Sequence, residues 1–378
     1  MSRRLGSLFP HLTGTALTLL SGLSMAGEGA IAFTGDARAA IAIEQRDRAD
    51  GTTETELLPA LRLRPGIDVL PGSTVTFRFR LAGLFNRDVH GLRFDADGPA
   101  DPGVIAVDSA YVQFRPDDRL QVRVGRIQTV FELDSVVEDG LSRHDSGGIA
   151  VDWTDGMHIA LGQPKSTRLH YIAQLNRSDR STNGVGARGP VTFGNGASRV
   201  THFLGLELAP KGSVTQAMVD MTWIPEALAD GVQGDRDNRD FLAFTARLAA
   251  DQHVAEGLVL HPALEIGWMP VTPQLESLGF ASRSGRASGL ALVAGIDIRP
   301  LARGALGLQL ARIPAGFIAS PDYPANSRSA ELRYSWWPIE SQLKLDLRYR
   351  LRRQMLRAAE SDSRRTAHNL QLRATLRF

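Results

Sequence analysis

Four carboxylates, Glu132, Asp134, Glu138 and Asp139, fall in one polar segment, 129–146, where Arg143 and His144 follow them. Elsewhere arginines recur two residues apart, as in Arg62 and Arg64, Arg78 and Arg80, and Arg348 and Arg350, with Arg123 and Arg126 as a further pair. On an extended chain a spacing of two puts both guanidinium groups on one face. Rows of guanidinium favour anions and rows of carboxylate favour cations, so these residues could set the charge preference of a water-filled passage. The same arginines could instead be neutralised by carboxylates and serve structure alone. The sequence does not choose between the two.

Other chemistry-bearing patterns carry less. Gly184-Val185-Gly186-Ala187-Arg188-Gly189 spells a dinucleotide fingerprint, but lies in a polar loop without the strand before it and the helix after it that such a site needs. His144, Asp145 and Ser146 are adjacent, and adjacent residues cannot converge as a catalytic triad does. The nine histidines show no metal-ligand spacing. Asp235, Asp237 and Asp240 fail the calcium-loop pattern, because Arg239 stands where an oxygen ligand is required. No catalytic residue, metal site or cofactor is expected.

The elements that carry the arginines are strands. Val75, Phe77, Phe79 and Leu81 alternate with Thr74, Thr76, Arg78 and Arg80, and Leu343, Leu345, Leu347, Tyr349 and Leu351 alternate with charged and polar residues. Beyond residue 26 no segment approaches the roughly 20 continuous apolar residues of a spanning helix. Both facts fit a transmembrane barrel, in which each lipid-facing residue is followed by one facing the lumen.

Connection lengths give a count. Short turns belong on the periplasmic side of such a barrel and longer loops outside. Short connections are read at Pro71-Gly72-Ser73, Pro116-Asp117-Asp118, Asp155-Gly156 and Pro210-Lys211-Gly212, and long ones at 86–103, 129–146, 176–198, 225–239 and 271–286. The alternation predicts an all-β antiparallel barrel of about sixteen strands, with eighteen as the alternative. Two of the strands are read at 147–154 and 157–175; a turn at Gln163-Pro164-Lys165-Ser166-Thr167 is set aside because it would put the long 176–198 connection on the periplasmic side and break the alternation. Trp153, Trp336 and Trp337 are expected at periplasmic strand ends and Trp223 and Trp268 at outer ends, as an interfacial girdle.

Arg3 and Arg4, the apolar run from Leu12 to Leu23 and the small residues before position 27 read as a secretory signal over 1–26, with cleavage as late as residue 32, leaving one barrel domain over 27–378. The chain has no cysteine and a formal charge of +2, which falls to zero without Arg3 and Arg4, so net charge cannot steer a ligand. Nucleic acid is not an expected partner.

The last strand alternates through Leu370, Leu372, Ala374 and Leu376 and ends on Phe378. This resembles the C-terminal signal by which Gram-negative outer-membrane barrels are recognised for assembly, with Leu372, Leu376 and Phe378 carrying it. The run Ala110-Tyr111-Val112-Gln113-Phe114-Arg115-Pro116, followed by Leu120-Gln121-Val122-Arg123-Val124-Gly125-Arg126-Ile127-Gln128-Thr129-Val130-Phe131, resembles the porin superfamily, nearest to its phosphate-selective group. The resemblance implies an outer-membrane channel for passive diffusion of small hydrophilic solutes or anions, surrounded by lipid and lipopolysaccharide and assembled as a homotrimer. It also implies that the third external loop, 129–146, folds inward and sets Glu132, Asp134, Glu138, Asp139 and Arg143 at a constriction facing a wall of Arg62, Arg64, Arg78, Arg80, Arg123, Arg126, Arg348 and Arg350. A barrel enzyme of phospholipase or protease type and a non-conducting structural barrel are the competing functions.

Overall fold

The computed structural model describes residues 30–48, 50–89, 91–95, 101–141, 143–176, 190–193, 196–230, 237–279, 285–301, 303–357 and 364–378. The expected leader lies outside them, apart from residues 30–32, which already pair in the first strand.

Sixteen antiparallel strands form the wall: β1 Ala30–Asp47, β2 Thr53–Leu70, β3 Val75–Asn86, β4 Val104–Phe114, β5 Leu120–Ile127, β6 Thr154–Leu161, β7 Arg168–Leu175 and β8 Val200–Leu208. They continue with β9 Val214–Asp230, β10 Asp237–Ala250, β11 Leu258–Trp268, β12 Leu290–Leu301, β13 Gly304–Ile313, β14 Ser327–Ile339, β15 Leu343–Gln354 and β16 Thr366–Arg377. Two short strands, Arg93–Phe94 and Gln252–Ala255, add to the same sheet. Each wall strand pairs with its sequence neighbour, and β1 pairs with β16 from Asp36↔Arg377 to Arg46↔Ala367. The sheet therefore has no free edge, as a spanning β-structure requires where no water can satisfy backbone groups.

Alternation decides which face is which. Phe77 and Phe79 of β3, Leu308 and Leu310 of β13 and Leu370 and Leu372 of β16 point outward and are exposed, whereas Asp68, Asp108, Asp297 and Asp346 point inward and are buried. Charged side chains on the outer face at mid-depth would cost about 2–4 kcal/mol each, which fixes the register. Aromatic residues gather on the outer face. Tyr171 donates to or accepts from His202 at 3.0 Å, His202 stacks on Trp223, and Phe244 stacks on Trp268.

The structure corrects the reading of the sixth and seventh strands. Residues 147–153 belong to the loop after β5, and the turn lies at 162–167, between β6 and β7. The loop parity survives because the third loop is longer than expected, from 128 to 153. Asp155-Gly156 is not a hairpin turn but part of β6. Gly156 lies across from Gly125 in β5, and a side chain at Gly156 would strike the Ala173 carbonyl of β7, so its glycine serves close backbone approach. Trp153 is likewise not a girdle residue; it is 1% exposed inside the barrel beside Ala82 and Ala106. Nor does β9 end at Ile224. A bulge absorbs 225–227, where Pro225 has no N–H to offer the ladder, and pairing resumes at Leu228↔Arg239.

Candidate functional site in the barrel lumen

The third loop leaves β5 at 128 and crosses to the far wall. Its base is a ribbon in which Val130–Phe131 pairs with Arg143–His144. The Asp145 carboxylate accepts from the Thr129 N–H (2.8 Å), the Thr129 hydroxyl (2.7 Å) and the Thr154 hydroxyl (2.8 Å), clamping both ends of the loop together. Arg143 crosses the same base, donating to Thr129 Oγ1, Thr154 Oγ1 and Gln174.

The loop is held from both sides. On its near side Arg62, 0% exposed, donates to the carbonyls of Ser146 and Ala150, both at 2.8 Å, and Arg38 donates to Gly148. On its far side three carboxylates take the backbone N–H groups that a loop in mid-lumen would otherwise leave unpaired. Asp297 of β12 accepts from Val136 (2.9 Å), Glu265 of β11 from Leu141 (2.7 Å), and Asp322, in the loop after β13, from Gly140 (2.8 Å). Glycines on the lumen face leave room for the loop's apolar side chains. A methyl at Gly307 would lie 2.9 Å from Val136 Cβ, one at Gly205 2.9 Å from the Phe131 ring, and one at Gly267 would strike Phe317 and crowd Leu141. Leu141, Phe317, Ile318 and Tyr323 thereby join a buried apolar cluster with Ile224, Phe241 and Ile313 of the wall.

Of the expected loop acids, Glu138 and Asp139 meet cations on the β14–β16 wall. Glu138 pairs with Lys344 (2.7 Å), Arg373 (2.7 Å) and Arg333 (3.2 Å); Asp139 pairs with Arg350 and, at 3.6 Å, with Arg333. Burial alone would raise the Glu138 carboxyl, but Arg373, Arg333 and Lys344 hold it well below the usual range. Asp139 is lowered in the same way, by Arg350 and Arg333 against burial. Asp134 lies at the exposed end of the loop against Arg299, 3.2 Å away, and Glu132 pairs with His144 at 2.7 Å. Asp322 stands differently: burial and the neighbouring Asp139 push it up to about 8.

Apart from Arg350, which pairs with Asp139 and Glu331, the expected arginine wall divides into three. Arg62, Arg64, Arg78 and Arg80 form a ladder with acids of β1, β2 and β4. Arg62 and Arg64 reach Asp36 (3.0 and 2.7 Å), Arg80 reaches Asp108 (2.9 Å), and Arg78 reaches Asp68 (2.6 Å). Arg126 has the register of Val124, an outward residue, pairs with Asp155 at 2.7 Å and lies over the Trp153 ring. A third set has neutral partners. Arg123 meets His158 (2.6 Å), Arg168 meets Gln121 (2.9 Å), and Arg348 meets Asn369 (2.9 Å). With Arg352, these side chains face the lumen and form no ion pair with any described carboxylate. Period-two alternation also puts Arg168 and Arg352 on the lumen face, but it could not show which carboxylates each arginine would meet.

The discounted patterns find other uses. His144 turns to Glu132, Asp145 to the loop base and Ser146 to the Asp152 carbonyl, so the three do not converge. Asp240 accepts from Trp223 Nε1 and the Glu226 N–H. The Gly184–Gly189 run and Asp235 lie outside the described residues, and among the described residues no group of His, Asp and Glu is placed to hold a metal ion.

No family profile matches the sequence, and no curated protein matches it. Solved structures do match the fold. OprB of Pseudomonas putida superposes with a TM-score of 0.61 at 13% identity, covering 93% of this chain and 94% of that one. The channel DcaP of Acinetobacter baumannii gives 0.56 at 13% identity, over 95% and 100% of the two chains. The anion-selective porin of Comamonas acidovorans gives 0.55 at 12% identity, over 93% and 100%. At these identities the likeness is one of fold.

Proposed function

We propose that this chain is an outer-membrane porin, a water-filled channel for passive diffusion of small hydrophilic solutes that prefers anions. A closed barrel of this strand number is too wide for wall side chains to fill, and its neighbours in fold are porins and channels. The observation that carries the anion preference is the set Arg123, Arg168, Arg348 and Arg352. Their charge faces the lumen and is not cancelled by a described carboxylate, whereas most of the remaining lumen arginines are. In this reading the third loop with Glu132, Asp134, Glu138, Asp139 and Arg143 makes the constriction, and Leu372, Leu376 and Phe378 present the final strand to the assembly machinery. A homotrimer, the frequent form of such barrels, belongs to the same proposal.

One observation favours a second reading. The buried cluster of Leu141, Phe241, Phe317 and their neighbours fills part of the lumen between the third loop and the wall, as a plug would. Planar-bilayer recording of the refolded protein under a salt gradient separates the readings. Open-channel steps with a chloride-favouring reversal potential support the porin and its preference. Potassium-favouring steps remove the preference, and verified insertion without conductance leaves the plugged barrel.

A further inference from the structure

Arg312 of β13, Arg328 of β14 and Arg353 of β15 are direct cross-strand neighbours: Arg312 pairs with Arg328, and Arg328 with Arg353. All three point outward and are exposed, at the long-loop end of their strands. The outward residues one step toward mid-barrel are Leu310, Ala330 and Leu351, also in register, so the arginines sit on the rim of the apolar band. Arg286 and Arg364 complete a cleft of about 440 Å³ at the same place. Its floor is apolar, made by Leu275, Ala287, Ala315 and Leu356.

Like charges directly opposite one another on a sheet are destabilising, and here three stand in a row. None of the five arginines forms an ion pair or side-chain hydrogen bond with a described residue. Guanidinium forks match phosphate oxygens in geometry and charge, so a phosphate would relieve the repulsion while bridging neighbouring strands. A free phosphate has no use for an apolar floor beside the arginines. An amphiphile has.

We propose that this cleft binds the phosphorylated headgroup of an outer-leaflet glycolipid, with Arg312, Arg328 and Arg353 on the phosphate and the floor against its sugar or acyl portion. The proposal rests on the outer-membrane reading, because only there does the long-loop end meet such a lipid.

The test compares the purified full chain with the triple variant R312Q/R328Q/R353Q, using native mass spectrometry in detergent. Bis-phosphorylated lipid A, dephosphorylated lipid A and inorganic phosphate are the probes. The full chain should retain bis-phosphorylated lipid A about tenfold better than the triple variant and than dephosphorylated lipid A binds, a difference of one decade in Kd. Inorganic phosphate at millimolar concentration should not displace it. Equal retention by both proteins, or displacement by inorganic phosphate, overturns the proposal; the second outcome assigns the cleft to free phosphate. Because the row faces away from the lumen, bilayer conductance of the triple variant should match that of the full chain. That measurement separates failure of this site from failure of the channel reading. If the triple variant does not refold, Arg328→Gln alone, at the centre of the row, should still weaken retention severalfold, and unchanged retention overturns the proposal.

Discussion

The ring of Phe378 lies over Gly35, and the two backbones exchange hydrogen bonds, Gly35 N to Phe378 O at 2.7 Å and Phe378 N to Gly35 O at 3.1 Å. The last residue of the chain thus seals the seam between β1 and β16. It can do so because Gly35 has no side chain; a methyl there would lie 2.8 Å from the ring and strike the Arg64 carbonyl.

Two variants test the seam. Gly35→Ala should cost about 1–3 kcal/mol, the usual penalty for overpacking a filled site, since the Arg64 backbone cannot move aside. Removal of Phe378 should lower the folded yield further, because it deletes two hydrogen bonds and a packed ring together. The fraction of protein that migrates as heat-modifiable barrel in electrophoresis checks both; wild-type yields would show that the seam does not depend on this pair.

Glu138 is the anchor of the third loop. Glu138→Gln should leave Lys344, Arg373 and Arg333 short of a charge partner, at a cost of about 1–3 kcal/mol for unsatisfied charged groups. The expected outcome is a noisier open channel with larger conductance fluctuations in single-channel recording. Unaltered current noise would show that the backbone anchors to Asp297, Glu265 and Asp322 suffice.

Loop seating should respond to alkaline pH. Asp322 is raised to about 8, so its ionised form is disfavoured in the seated loop and seating weakens as pH climbs from the ordinary aspartate value toward 8. Burial pushes His144 down, but Glu132 more than reverses this; its raised value means a contribution full at low pH and lost as pH rises through it. Both groups therefore loosen the loop in the same direction. Current noise should rise as pH climbs from about 4 to about 8, more steeply above the ordinary histidine value, where both groups contribute. Asp322→Asn keeps an acceptor for the Gly140 N–H without titrating, and should flatten much of that rise.

The uncancelled arginines predict selectivity. Arg348→Gln together with Arg352→Gln should move the reversal potential toward the cation side, more at low than at high salt because screening shortens the reach of lumen charge. Arg64→Gln should move it less, since Arg64 is already paired with Asp36 and Asp108.

Much of this was legible in the sequence, and what was missed has a physical reason. Period-two alternation placed nearly every wall strand, because a one-residue slip would turn Arg78 and Arg80 into the lipid and Phe77 and Phe79 into the lumen. The error at 147–161 came from reading Asp155-Gly156 as a turn. Glycine before a polar loop and glycine facing another backbone look the same in one dimension, and only Ala173 in space tells them apart. Pairing in the lumen was illegible for a related reason. Arg64 and Arg348 are alike in sequence, yet one meets Asp36 and Asp108 and the other meets Asn369.

The inward glycines Gly205, Gly267 and Gly307 have a consequence for how such barrels can be altered. A loop that owes its position to notches cut in the opposite wall cannot be exchanged by itself. Val136, Phe131 and Leu141 need vacant space on strands far away in the chain, so a graft of 128–153 onto another barrel should seat only if the matching notches travel with it. Wall and loop are a lock and its bolt, and a new lumen calibre calls for changes at both ends.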